Sequence, residues 1–174
     1  MVVREVSYNG YLFRSKAEAK WAFFLDTIGV DYLYESDTFT LTSASGKQVN
    51  YFPDFFITDL NCFLEVKLEK TPLVEECWKC SQLAKETGMD VVLAFQELGR
   101  KDYNAYHYTG GTGEVQNGFK LTTCPFCSRF DFTKNGLCGG MKCECSNRCA
   151  NLPNDRSIKL KTAMDATRKH RFRA

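Results

Sequence analysis

Tyr51-Phe52-Pro53-Asp54 and Glu65-Val66-Lys67 supply the residue types that metal-assisted phosphate chemistry needs: two carboxylates to hold a divalent cation and an ammonium to face a phosphate. Ten residues separate Asp54 from Glu65. Along a strand over residues 62–68, alternate side chains turn to opposite faces. Glu65 and Lys67 then share one face, and Cys62, Leu64, Val66 and Leu68 share the other, apolar one. The triplet alone says little, because Glu18-Ala19-Lys20 repeats it and a solvated Glu–Lys pair is worth only about 0–1 kcal/mol. Context decides. Asp54 is followed at once by Phe55, Phe56 and Ile57, which puts it at or in a strand and not in a free turn.

These side chains need a scaffold, and hydrophobic periodicity supplies one. Residues 15–28 read as a helix, with Ala17, Trp21, Phe24, Leu25 and Ile28 at helical spacing, a capping-box start at Ser15-Lys16-Ala17-Glu18 and Gly29 to end it. Extended segments follow at 31–35 and 38–42, then a turn at Ser43-Ala44-Ser45-Gly46 and strands near 49–57 and 62–68. Thr71 is the expected cap of a second helix, with Pro72 in its first position and Gly88 after its end. The apolar run 89–95 has the length of a strand buried on both faces. Residues 103–108 read as one more strand, and Thr109-Gly110-Gly111-Thr112-Gly113 as a loop. The expected fold is α/β: helix, two or three strands, helix, strand.

At 174 residues the chain has room for one good core and a small appended module. An apolar fraction of 44% with 14% aromatics excludes a disordered protein. No apolar run reaches bilayer-spanning length and residues 1–5 do not open a secretory signal, so the expectation is a soluble, cytoplasmic protein without a membrane partner. There are nine cysteines, an odd number, and six of them fall between Cys124 and Cys149. Reduced thiolates holding metal suit this pattern better than disulfides. The net charge of +2 divides unevenly: from residue 150 onward seven Lys or Arg face two Asp, a surplus of five, which leaves the remainder at −3. A basic tail on a mildly acidic body is expected where the tail meets phosphates and the body gathers carboxylates around metal.

The ordered set Arg14-Ser15-Lys16-Ala17-Glu18, Tyr51-Phe52-Pro53-Asp54-Phe55, Leu64-Glu65-Val66-Lys67, Pro72 with Glu76, and Leu83-Ala84-Lys85-Glu86-Thr87-Gly88 resembles the PD-(D/E)xK nuclease superfamily, in particular the small nucleases of bacteriophage genomes. The resemblance implies a restriction-endonuclease-like core of helix, three strands, helix and strand, and hydrolysis of DNA to 5′-phosphate and 3′-hydroxyl ends. Asp54 and Glu65 are the expected direct ligands of Mg2+ or Mn2+, with the Val66 carbonyl as a further one; magnesium needs only one or two protein carboxylates beside water and phosphate. Lys67 would position the attacking water or help deprotonate it, and would offset phosphate charge. Glu18 would orient a metal-bound water or complete a second metal site, although its capping-box position is a complete structural reason for it. Gln82 corresponds loosely to a glutamine that some superfamily members bring to the site. Cys77-Trp78-Lys79-Cys80 has redox spacing but lies inside a helix, where packing is the better reading.

Cys124-Pro125-Phe126-Cys127 is a zinc-knuckle pattern, and the alternation over 129–133 with a turn at Asn135-Gly136 suits a zinc-ribbon hairpin. Cys143 and Cys145 are taken as the other two ligands of a structural Zn2+, with Cys138 and Cys149 as alternates. The expected division is 1–118 for the nuclease core, 119–150 for the zinc ribbon and 151–174 for a basic C-terminal helix. DNA is the expected partner, bound in part through salt-sensitive phosphate contacts from that helix; a solvated terminal helix is the competing reading. A homodimer would supply the two active sites that cutting two strands requires. The alternatives are a structure-selective, Holliday-junction-type nuclease and a non-catalytic nucleic-acid-binding protein on the same scaffold.

Overall fold

The computed structural model describes residues 5–95, 98, 104–124, 129–134 and 158–172. In chain order the elements are β1 (Val6–Tyr8), β2 (Tyr11–Phe13), α1 (Lys16–Ile28), β3 (Tyr32–Tyr34), β4 (Phe39–Thr42), β5 (Gln48–Tyr51), β6 (Phe55–Ile57), a 3-10 turn (Thr58–Leu60), β7 (Cys62–Lys67), α2 (Val74–Thr87), β8 (Asp90–Phe95), β9 (Asn104–Tyr108), β10 (Val115–Thr123), β11 (Phe130–Lys134) and α3 (Ile158–Lys169). The fold is mixed α/β. Seven strands form one sheet in the order β11-β10-β9-β8-β7-β6-β3, while β1–β2 and β4–β5 are separate hairpins. Every neighbouring pair in the large sheet is antiparallel except β7 and β8, which α2 connects.

Period-two alternation splits the central strands between two apolar layers. Leu64, Val66, Val92 and Ala94 face Trp21, Phe24 and Leu25 of α1 and Leu160, Ala163 and Met164 of α3. Phe63, Val91 and Leu93 face Cys80, Leu83 and Ala84 of α2. Each large side chain fully buried there contributes about 1.5–3 kcal/mol. None of the helices described is long and apolar enough to cross a membrane.

Local chemistry sets the element ends. Ser15 Oγ accepts Glu18 N at 3.2 Å, and Gly29 closes α1 at φ 72°. Only half of the expected capping box forms, because the Glu18 carboxylate takes the backbone N–H of Arg14 at 3.1 Å, one residue before the cap. The expected strand over 49–57 is two strands, β5 and β6. Pro53 has no N–H to give a ladder, so pairing stops around it. Helix α2 starts later than expected, with Leu73 as N-cap and Pro72 outside, and Glu76 Oε2 accepts Leu73 N at 2.8 Å.

The expected order also omits the hairpin β1–β2. Its two-residue turn is Asn9-Gly10, with φ of 47° and 83°, the positive values a type I′ turn demands. The expected border at 118/119 falls inside β10, which pairs with β9 and β11 in the main sheet. The loop after β9 docks on the end of α2: Gly111 N donates to Ala84 O at 2.8 Å. A Cβ at Gly110 would lie 2.2 Å from the Gly88 carbonyl oxygen, so this approach requires glycine.

Candidate active site

The register of β6 against β7 creates the site. Phe55 pairs with Leu64, and there β6 ends, while β7 runs on through Glu65, Val66 and Lys67. The Val66 N–H therefore has no β6 partner. Asp54 Oδ2 accepts it instead, at 2.8 Å, so the aspartate side chain replaces a missing ladder bond. Asp54 is further fixed by its backbone: its carbonyl accepts Glu35 N at 3.0 Å and its N–H donates to Glu65 Oε2 at 3.3 Å.

Glu65 lies on the α2 side of β7. Its Oε2 also accepts the Tyr51 hydroxyl at 2.8 Å, and its Oε1 accepts Lys67 Nζ at 2.6 Å. Asp54 and Glu65 are 2% and 6% exposed. The structure thus brings Asp54, Glu65 and Lys67 into one hydrogen-bonded group. Arg14 reaches it from the other side, its guanidinium 3.3 Å from Asp54 Oδ1 and paired with Glu35.

Glu18 is buried near this group without bonding to it directly. Its Oε2 accepts the Tyr34 hydroxyl at 2.6 Å as well as Arg14 N, so Arg14 is its link to Asp54. Arg14, Tyr34, Glu35 and Tyr51 carry no assigned role in the sequence reading. Two of them, Arg14 and Tyr51, stand inside the quoted motifs; Tyr34 and Glu35 give no local signal, because their partners lie many residues away.

Burial, and then the neighbouring Glu65, push the Asp54 carboxyl well above the usual carboxylate range. Burial works to lower Lys67 but is outweighed by Glu65 and Asp54, which hold its ammonium above the ordinary lysine value. In the metal-free protein these two carboxylates therefore favour the charged lysine. Burial, then Cys80 and Glu65, also raise the Tyr51 phenol, keeping it a donor to Glu65. Burial raises the Cys80 thiol, as befits a packed and unreactive cysteine.

Glu65 and Lys67 open into a cleft of about 260 Å³, whose lining also includes Arg14, Phe52, Glu76 and Lys79 and behind which Asp54 is buried. Gln82 turns along α2 to Glu86, its Nε2 2.8 Å from Oε1, and does not line this cleft. A cleft of about 270 Å³ at the opposite end of β7 and β8 is lined by Asp90 and His107 but by none of these residues. Asp131 and Lys134 line it as well, so it too carries acidic and basic side chains, but neither Asp54 nor Glu65-Val66-Lys67 reaches it.

Among the described residues no three His, Cys, Asp or Glu side chains converge as a ready-made metal cluster. Two buried carboxylates held against each other nevertheless form a donor set that a divalent cation would relieve, and magnesium asks for no more than one or two. Of the expected zinc ligands only Cys124 is among the described residues. It is buried at the end of β10, with its N–H on Arg129 O at 2.8 Å. Cys127, Cys143 and Cys145, and the alternates Cys138 and Cys149, lie outside the described residues.

On α3, Lys161 and Lys169 face outward, as does Arg171 just after its end, while Arg168 pairs with Asp165. His170 stacks on Phe23 with ring centroids 4.0 Å apart, among Tyr8 and Phe172. Comparison of the chain with protein-family models, curated proteins and solved structures finds no match.

Proposed function

We propose that this chain is a divalent-metal-dependent DNA endonuclease with a restriction-endonuclease-like core. The observation that carries the reading is the group at the end of β7: Asp54 and Glu65 buried side by side, with Lys67 on Glu65 and a cleft beside them. The order α1, then β3, β6 and β7 of the main sheet, then α2 and β8 supports the same core, with β4–β5 as a hairpin added within it.

Asp54 and Glu65 would hold Mg2+ or Mn2+. The Val66 carbonyl would assist, since a strand residue directs its C=O to the same side as its N–H. When bound, the cation supplies positive charge against the phosphate and lowers the pKa of a coordinated water. The protein's own groups do the rest. Tyr51 fixes the rotamer of Glu65, the Val66 N–H fixes Asp54, and Lys67 presents a permanent charge to a phosphate oxygen. Arg14 ties the Glu18–Tyr34 pair to Asp54, and Glu18 acts on the centre through it. Water attacks phosphorus and the bond to the 3′ oxygen breaks, leaving 5′-phosphate and 3′-hydroxyl ends.

A structural Zn2+ on Cys124 and its partners, DNA contacts from the outward cations of α3, pairing of two chains for double-strand cutting, and a cytoplasmic setting complete the proposal. The test is incubation of the purified protein with plasmid, linear duplex, single-stranded and branched DNA in Mg2+ or Mn2+. Cleavage that disappears with Asp54→Asn and Lys67→Ala is expected. No cleavage of any substrate would sink it, and selective cutting of the branched one would establish the structure-selective form.

A further inference from the structure

Phe52 is the only exposed aromatic residue among those described, at 43%. It belongs to neither apolar layer. Most other aromatic rings described contact another ring, whereas Phe52 has no ring contact among the described residues. Exposure alone is ordinary, since six aliphatic side chains among the described residues are exposed as well; the position of the ring sets it apart. It lines the same cleft as Glu65, Lys67, Arg14 and Lys79.

The backbone holds the ring there. Tyr51, just before it, is anchored through its hydroxyl on Glu65, and Pro53 and Asp54, just after it, are buried, with Asp54 fixed to Val66 N and Glu35 N. Tyr51, the last residue of β5, is buried, whereas Phe52, just beyond the strand, is exposed. With both neighbours pinned, little backbone freedom remains to be lost when something stacks on the ring.

We propose that Phe52 is a stacking platform for an unpaired nucleobase, and that the substrate therefore presents single-stranded DNA at the cleft. An aromatic face beside a set of cations is the combination that binds single strands without regard to sequence, because every base has a π-face and every nucleotide a phosphate. Within a duplex the base faces are stacked on one another and unavailable to Phe52. Lys67, Lys79 and Arg14, each also paired with a carboxylate (Glu65, Glu75 and Glu35), are the cations that would meet the neighbouring phosphates. The inference rests on the nuclease reading for the nature of the ligand but makes a separate prediction about its form.

The experiment uses the zinc-loaded full chain carrying Asp54→Asn, without added magnesium or manganese, with a short single-stranded DNA bearing one 2-aminopurine whose fluorescence falls on stacking. Binding should quench the probe, and a duplex of the same sequence should compete poorly. Adding Phe52→Ala should remove the quench and weaken binding about 5- to 150-fold, the range for loss of one stacked base. Phe52→Trp should restore both. Because the ring is exposed, Phe52→Ala should keep its fold, checked by thermal unfolding. If Phe52→Ala binds and quenches like its parent, or if duplex competes equally, the stacking proposal is overturned while the nuclease reading stands. If the parent binds no DNA of either form and the unsubstituted chain cuts none, both fall together.

Discussion

Replacing Tyr51 by Phe removes one oxygen from the centre of the candidate site and leaves the ring in place. Two donors reach Glu65 Oε2: the Tyr51 hydroxyl at 2.8 Å and Asp54 N at 3.3 Å, the second longer than an ordinary N–H···O bond. The hydroxyl is therefore the principal donor to that oxygen. A hydrogen bond to a charged group contributes about 1.5–3 kcal/mol, and Glu65 is too buried for water to replace it freely. For a chain of this size about 2–4 °C of Tm accompanies each kcal/mol. Tyr51→Phe should thus lower Tm by about 3–12 °C. It should also reduce kcat for DNA cleavage, because Glu65 loses the contact that fixes its rotamer. Thermal and urea unfolding of the metal-free protein measure the first effect, and single-turnover cleavage the second. Stability within about 0.5 kcal/mol of the parent, the range of an ordinary surface substitution, with unchanged cleavage would refute the assignment of Tyr51 as the residue that positions Glu65.

Asp54→Asn should have opposite effects on stability and activity. The folded chain keeps a proton on Asp54 that the unfolded chain releases, so raising pH from the ordinary carboxylate range toward the raised value costs the parent stability. Without added magnesium or manganese the zinc-loaded variant should gain Tm relative to the parent as pH rises through that window, and parallel Tm–pH curves would count against the buried pair. Gly110→Ala should destabilise by about 1–3 kcal/mol in urea unfolding, since its Cβ would meet backbone that cannot move aside easily. Native mass spectrometry should find one zinc per chain, lost in Cys124→Ser; a protein isolated without zinc would remove the ribbon from the account.

Much of the scaffold is legible in the sequence because its signals are local. The α1 stripe, the Gly29 and Gly88 stops, and the alternation that puts Glu65 and Lys67 on one face all follow from spacing within a few residues. So does the break at Pro53, once the missing N–H is weighed against the apolar run that suggests a continuous strand. The hairpin at Asn9-Gly10 has a strong local signal too, although the expected element order omits it. Strand β10 is harder to see. The expected border at 118/119 falls inside it, and Gly118, at φ 79°, sits in an irregularity between Gln116 and Phe119 within one continuous strand. The partners of the acidic residues are least legible. Tyr34 reaches Glu18 and Tyr51 reaches Glu65 only because the sheet brings separate segments together, and no local pattern encodes those contacts.

The central claim is that Asp54 and Glu65 form a divalent-cation site that cuts DNA. Its most direct test is isothermal titration of Mg2+ or Mn2+ into the zinc-loaded protein, run beside cleavage of the DNA panel at the same metal concentrations. Saturable binding outside the thiolate site, lost in Asp54→Asn, with cleavage rising over the same metal range, is the expected result. Absence of that binding, or cleavage that persists unchanged in Asp54→Asn, would contradict it.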